Sequence, residues 1–182
     1  MTSEILLNMW STLKVEAEPA TLEAAITTSE CREIYEQNRH RLYSLAFWMT
    51  GNELRAEALL EKAFVRGFAI SSIPSAETLD AAMIGELERL HSLRRPTLKC
   101  AAASEVLNVR KSSKKDDLED AVLRLPSCER MIFLLHDVES YSTEKISRLL
   151  GMENSLIVGA LHQARLRLRE LLANVQPAAK AA

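Results

Sequence analysis

The stretch 142–172, STEKISRLLGMENSLIVGALHQARLRLRELL, constrains the fold more than any other part of the chain. Ser142 is placed to cap a helix, because its hydroxyl accepts one of the N–H groups left orphaned in a first helical turn. Ile146, Leu149 and Leu150 then recur at helical spacing. Gly151 follows at once, where a chain leaving a helix commonly needs a positive φ that only glycine adopts at little cost. Glu153 or Asn154 restarts the helix, and Ile157, Leu161, Ala164 and Leu168 give it one apolar stripe. A short helix, a glycine turn and a longer second helix with an arginine-rich end is the helix-turn-helix pattern, whose second helix enters the DNA major groove. An ordinary helical hairpin has the same outline without the DNA.

The rest of the chain also reads as helical. It has 182 residues, with only 5 Gly and 5 Pro and few β-branched runs, which predicts an all-α protein. A net charge of −2 gives no overall basic field, but the charge is unevenly spread. Residues 96–115 carry five bases against one acid, and 151–182 four against two, while 1–30 and 116–150 are acidic. Cys31, Cys100 and Cys128 are odd in number and scattered, which suits a reducing cytoplasm without a disulfide framework. The four histidines form no ligand pattern with them, so no metal or other cofactor is expected. No apolar run reaches the roughly 20 residues of a membrane span, and the N-terminus does not read as a signal peptide.

In chain order, residues 1–28 form an extension with an apolar patch (Ile5, Leu6, Leu7, Met9, Trp10) and a break at Pro19. A long helix is expected from Ser29, with Ile34, Leu42, Leu45 and Met49 on one face and Tyr35 and Trp48 beside it, ending at Gly51-Asn52. Asn52 caps a second helix that buries Ala56, Leu59, Leu60, Ala63 and Phe64. Ser75 caps a third, with Leu79, Met83, Leu87 and Leu90 inward. Residues 96–115, ending RKSSKK, are the linker candidate: a solvated basic spacer, or a segment drawn to nucleic-acid phosphate. A helix starts at Asp116 or Asp117 and breaks at Pro126; another follows, capped by Ser127, with Met131, Leu134 and Leu135 inward. The tail 177–182 is expected to fray.

Both halves resemble the extracytoplasmic-function (ECF) group of bacterial sigma-70-like factors. In the first half the family's TG turn matches Thr50-Gly51, its acidic helix matches Ala56-Glu57 and Leu59, and its closing R-x-aromatic matches Phe64, Arg66 and Phe68. In the second half its L-P-x-x-x-R-x-x-F-x-L run matches Leu125, Pro126, Arg130, Phe133 and Leu135. Its helix-turn-helix matches Ser142, Glu144, Ile146, Leu150 and Gly151, then Leu161-His162, Ala164-Arg165 and Leu168-Arg169.

The resemblance implies two small helical domains joined by the basic linker: a sigma region 2-like bundle at 29–95 and a region 4-like helix-turn-helix domain at 116–176. It implies a cytoplasmic bacterial protein that directs core RNA polymerase to promoters in transcription initiation, binds DNA at the −10 and −35 elements, and is not an enzyme. Core RNA polymerase and promoter DNA are the implied partners, with an anti-sigma factor as a further candidate. Core polymerase would be met by Glu57, Leu59, Leu60, Glu61 and Phe64, and −10 DNA by Arg66 and Phe68. The −35 element would be met by Asn154, Ser155, Leu156, Gly159, Ala160, His162, Gln163, Arg165 and Arg169.

The sequence departs from the family on these surfaces. Ala58 and Glu61-Lys62 replace Asp and Gln-Glu in the core-binding helix. The third helix carries Asp80, Glu86 and Glu88 and no aromatic, so it would repel phosphate. Leu156, Val158, Gly159 and Ala160 stand where the family has Thr, Lys, Ser and Arg. Arg165 and Arg169 read equally as phosphate contacts or as solvated bases supporting the helix dipole. The alternative function is therefore a sigma-like interaction module that has lost promoter readout. An unrelated helix-turn-helix repressor would leave the first-half motif unexplained. No Ser/His/Asp order or carboxylate pair suggests a catalyst, and His136-Asp137 and His162 read as surface or core-edge residues.

Overall fold

A computed structural model describes the chain over residues 22–96 and 114–173, with side chains described over 29–96 and 117–172. Among the described residues every regular element is helical: seven α-helices and one π-helical turn. The residues group into two compact units, one of 22–47 and 52–89, the other of 48–51, 90–96 and 114–173. Most of the linker expected at 96–115, and the tail at 177–182, lie outside the described residues, as does 1–21 of the N-terminal extension.

The helix α1 spans Leu22–Thr50, with 22–47 in the first unit, and starts seven residues before the Ser29 expected from the sequence. The run LEAAITT opens with Leu, Glu and two Ala, strong helix formers, and holds no glycine or proline. Tyr35, Leu42, Leu45 and Ala46 are buried along α1. After Gly51, at φ +63, α2 runs over Glu53–Ile70 and α3 over Ala76–Glu88. The Asn52 side chain accepts the Arg55 N–H at 2.9 Å, and Ser75 accepts the Thr78 N–H at 3.1 Å, so both expected caps are formed. The buried stripe of α2 (Ala56, Leu59, Leu60, Ala63, Phe64, Gly67) faces the core with Leu79, Met83 and Leu87 of α3. Leu90, expected inward, is 58% exposed: α3 ends at Glu88, and the turn that follows takes Leu90 out of helical register.

Among the described residues, three ion pairs engage the buried acids of this unit. Arg41 of α1 binds Asp80 of α3, whose side chain is 1% exposed, and also donates to Asn38 Oδ1 at 2.8 Å. Glu86, itself buried, accepts from Arg66 at 3.1 Å and from Arg89 at 3.2 Å.

The second unit begins its helices with α4, Lys114–Leu123. It is followed by α5, Ser127–Phe133, which runs on into the π-helical turn Leu134–Val138. Ser127 does not cap α5. Pro126 occupies the cap position in extended conformation (φ −56, ψ 146), and Ser127 is already the first helical residue. Proline lacks the N–H that an entering chain would leave unpaired, so it starts the helix at little cost. Arg130 then reaches back from α5, and its guanidinium donates to the Leu125 carbonyl at 2.8 Å and to the Leu123 carbonyl. These are carbonyls freed where α4 ends, so Arg130 fastens the α4–α5 turn. Met131, Leu134 and Leu135 are buried as expected. Cys128 is buried with them, and burial first, then the neighbouring Glu129 charge, pushes its thiol up to about 12.

Two helices complete the unit: α6, Thr143–Leu150, and α7, Asn154–Ala173. Ser142 caps α6 by accepting the Lys145 N–H at 3.2 Å. Gly151 closes it in the left-handed region at φ 62, ψ 37, and the Met152 N–H returns to the Ser147 carbonyl at 3.1 Å. The Glu153 carbonyl accepts the first α7 amides, Leu156 at 3.0 Å and Ile157 at 3.2 Å. Ile157, Leu161, Ala164 and Leu168 all lie inward, the stripe expected from their spacing.

Candidate nucleic-acid interface

The second unit turns one face of α7 to the outside. Asn154, Ser155, Leu156, Val158, Gly159, His162, Gln163 and Arg169 are exposed there, with Leu156 41% and Val158 51% exposed. Ala160 is not on that face. It is 4% exposed and joins Ile157, Leu161 and Ala164 on the core side, so it is withdrawn from the −35 set. At 100° per residue, positions 157, 160, 161 and 164 share one side of a helix. A Cβ built on Gly159 would meet nothing within 4 Å, so no packing inside the protein requires glycine. Replacing Gly159 by alanine is expected to stabilise the second unit by about 0.5–1 kcal/mol through the lower entropy cost of ordering alanine. A thermal melt of the full chain checks this; a lower midpoint would mean a close contact at that position.

The charges behind this face are already engaged. Arg165 Nε donates to Asp137 Oδ2 at 2.9 Å and Nη2 to Oδ1 at 2.5 Å, while His136 Nδ1 lies 2.8 Å from the same Oδ1. The hydrogen bond from Arg165 holds the Asp137 carboxyl below the usual carboxylate range. Arg167 pairs at 3.3 Å with Glu129, which is 1% exposed. Lys145 of α6 sits 3.3 Å over the Tyr141 ring. The Nε and Nη2 donors of Arg165 are thus taken up by Asp137, while the side chain stays 44% exposed.

In the first unit the residues marked for core polymerase divide. Leu59, Leu60 and Phe64 are 5%, 4% and 0% exposed and belong to the core, which removes them from any partner surface. Glu57 and Glu61 are half-buried at its edge. Phe68, marked for −10 DNA, is half-buried with its ring stacked 6.3 Å from Phe64, and Arg66 is paired with Glu86. The opposite side of α2 carries an open groove of about 600 Å³ between α2 and α3, lined by Ala58, Glu61, Lys62, Val65, Arg66 and Ala69 with Glu86 and Arg89 of α3. Ala58 and Lys62 stand out in the sequence as departures from the family's core-binding helix, whereas Val65 and Ala69 carry no such signal. The spacing of these groove residues, four, three and four, is itself helical, a second stripe opposite the buried one.

The acids of α3 need a different account from the one their sequence suggests. Asp80 and Glu86 are buried and matched by Arg41, Arg66 and Arg89, so they do not present bare negative charge to phosphate. Among the described residues no three His, Cys, Asp or Glu side chains gather as metal ligands, and no helix is long and apolar enough to cross a membrane.

The fold and this face define a helix-turn-helix protein with a second, separate helical unit. Residues 115–168 match the family described as Sigma-70, region 4. Over 160 residues the chain is 27% identical to the ECF RNA polymerase sigma factor SigE of Mycolicibacterium smegmatis, a match covering 78% of this chain and 61% of that protein. The chain therefore spans about three fifths of the length of that curated relative. Together the two matches support a member of the extracytoplasmic-function group of the sigma-70 family.

Proposed function

We propose that the protein is a bacterial, cytoplasmic sigma factor that directs core RNA polymerase to promoters, with the helix-turn-helix unit docking on the −35 duplex. The observation that carries this reading is the helix-turn-helix itself: a Ser142 cap, a left-handed Gly151 turn and an α7 whose Asn154–Gln163 side is open to solvent. Asn154 and Gln163 are the side chains on that side able to read a base by two hydrogen bonds, each such pair being worth about 1–3 kcal/mol of discrimination. Sequence-dependent DNA shape supplies further preference where no side chain reaches a base. The first unit would meet core polymerase through the exposed stripe of α2 rather than through Leu59, Leu60 or Phe64, and would meet the −10 element near Arg66 and Phe68. An anti-sigma factor is a further candidate partner. The protein's role is to position the polymerase, and no covalent step is assigned to it.

Leu156 and Val158, both exposed beside the open Gly159, favour a second reading: a sigma-like interaction module without promoter readout. Apolar helical faces suit a partner helix better than base edges. Run-off transcription with core polymerase and promoters from the same genome separates the two. Transcripts with a footprint over the −35 element support the sigma factor. Firm core binding with no transcript and no footprint would sink it in favour of the interaction module.

A further inference from the structure

The pairing of Arg165 with Asp137 bears on how strongly the helix-turn-helix grips DNA. The guanidinium meets the carboxylate edge-on, with Nε and Nη2 each donating to a different oxygen, at 2.9 Å and 2.5 Å. This two-pronged edge is also what an arginine uses to hold a phosphate, so carboxylate and phosphate compete for the same donors. His136 closes the cluster: its Nδ1 is 2.8 Å from Asp137 Oδ1 and 3.4 Å from Arg165 Nη2. The cluster is not sealed from outside, with the Arg165 side chain 44% exposed and that of Asp137 23% exposed.

We propose that Asp137 is a charge mask on the helix-turn-helix. It occupies the phosphate-gripping edge of Arg165 and cancels its charge, which lowers the affinity of α7 for the DNA backbone. Backbone attraction is the part of binding that every duplex shares. A masked arginine reduces that part and leaves the exposed α7 face with a larger say in which duplex is held. The inference rests on the reading of this unit as DNA-binding and assigns Asp137 as a positioning residue that acts through Arg165.

The test uses the full chain and Asp137→Asn, which keeps the shape and removes the charge. Binding to a short duplex of arbitrary sequence is followed by fluorescence anisotropy across a salt titration. The variant is expected to bind several-fold more tightly at low salt. Its plot of log K against log salt is expected to be steeper by about 0.9, the signature of one additional phosphate contact. The double variant Asp137→Asn/Arg165→Ala is expected to lose both gains, with melting midpoints reported alongside. An unchanged or shallower slope in Asp137→Asn would overturn the mask. So would an equal gain from Asp120→Asn, an exposed acid of the same unit, which would make the effect a general loss of negative charge. The outcome is separable from run-off transcription by the wild-type holoenzyme. An active holoenzyme with an unchanged slope defeats the mask alone, and a silent holoenzyme with the steeper slope defeats the sigma-factor reading alone.

Discussion

Replacing Arg41 by alanine is expected to destabilise the first unit by about 3–5 kcal/mol, the usual result of stripping one partner from a buried ion pair. The Asp80 carboxylate is 1% exposed, and water cannot take over from the lost guanidinium. Arg41 also ties in Asn38, whose amide donates to the Ile34 carbonyl at 2.9 Å, so the change reaches the α1 backbone as well. Urea unfolding of the full chain, followed by circular dichroism, should show a lower midpoint at constant slope for the first transition. The companion variant Arg41→Met/Asp80→Leu, which removes both charges, is expected to be far milder, because no unpaired charge remains. Equal losses in the two variants would mean that packing volume, not charge pairing, is what α1 and α3 share there.

Phe64→Ala is expected to cost about 3–5 kcal/mol, the range for truncating a buried aromatic ring. The ring is fully buried, 4.8 Å between centroids from Tyr35 and 6.3 Å from Phe68, so alanine opens a cavity between α1 and α2. The functional consequence is specific. Loss of polymerase capture by Phe64→Ala would track the loss of the fold and would not identify a contact. Lys62→Ala, on the exposed stripe of the same helix, is expected to leave the stability within about 0.5 kcal/mol of the wild type. If Lys62→Ala weakens capture of core polymerase at unchanged stability, the groove side of α2 is the contact. Should Phe64→Ala melt like the wild type, the ring is not the keystone its burial indicates.

The contrast between Phe64 and Lys62 shows where a sequence stops being informative. Phe64 belongs to a motif that resembles a polymerase-binding helix, and that resemblance drew Leu59, Leu60 and Phe64 into the contact set. Their spacing equally made them the apolar stripe, and in the folded unit the stripe is core. Of the groove residues, Ala58 and Lys62 were legible as departures at motif positions, while Val65 and Ala69 were legible only as the complement of that stripe. On α7 the same logic placed Ile157, Leu161, Ala164 and Leu168 correctly and misplaced Ala160, a residue small enough to suit either side of a helix.

What the sequence determined by itself was local. The Asn52, Ser75 and Ser142 caps, the Gly151 turn and the inward stripes of α2, α3 and α7 all follow from interactions between residues a few positions apart. Periodicity and capping chemistry report such interactions directly. The tertiary structure decided which charges are available. Arg41 and Asp80 are 39 residues apart, Arg66 and Glu86 20, and Arg165 and Asp137 28, and each pair joins different elements. No local pattern carries that information, so the acids of α3 read as bare and Arg165 as unclaimed until packing brought their partners to them. A carboxylate or guanidinium has the same formal charge wherever it stands in a sequence. Its power to repel or hold a phosphate depends on the opposite charge beside it and on its exposure to water, and only the folded chain sets those two quantities.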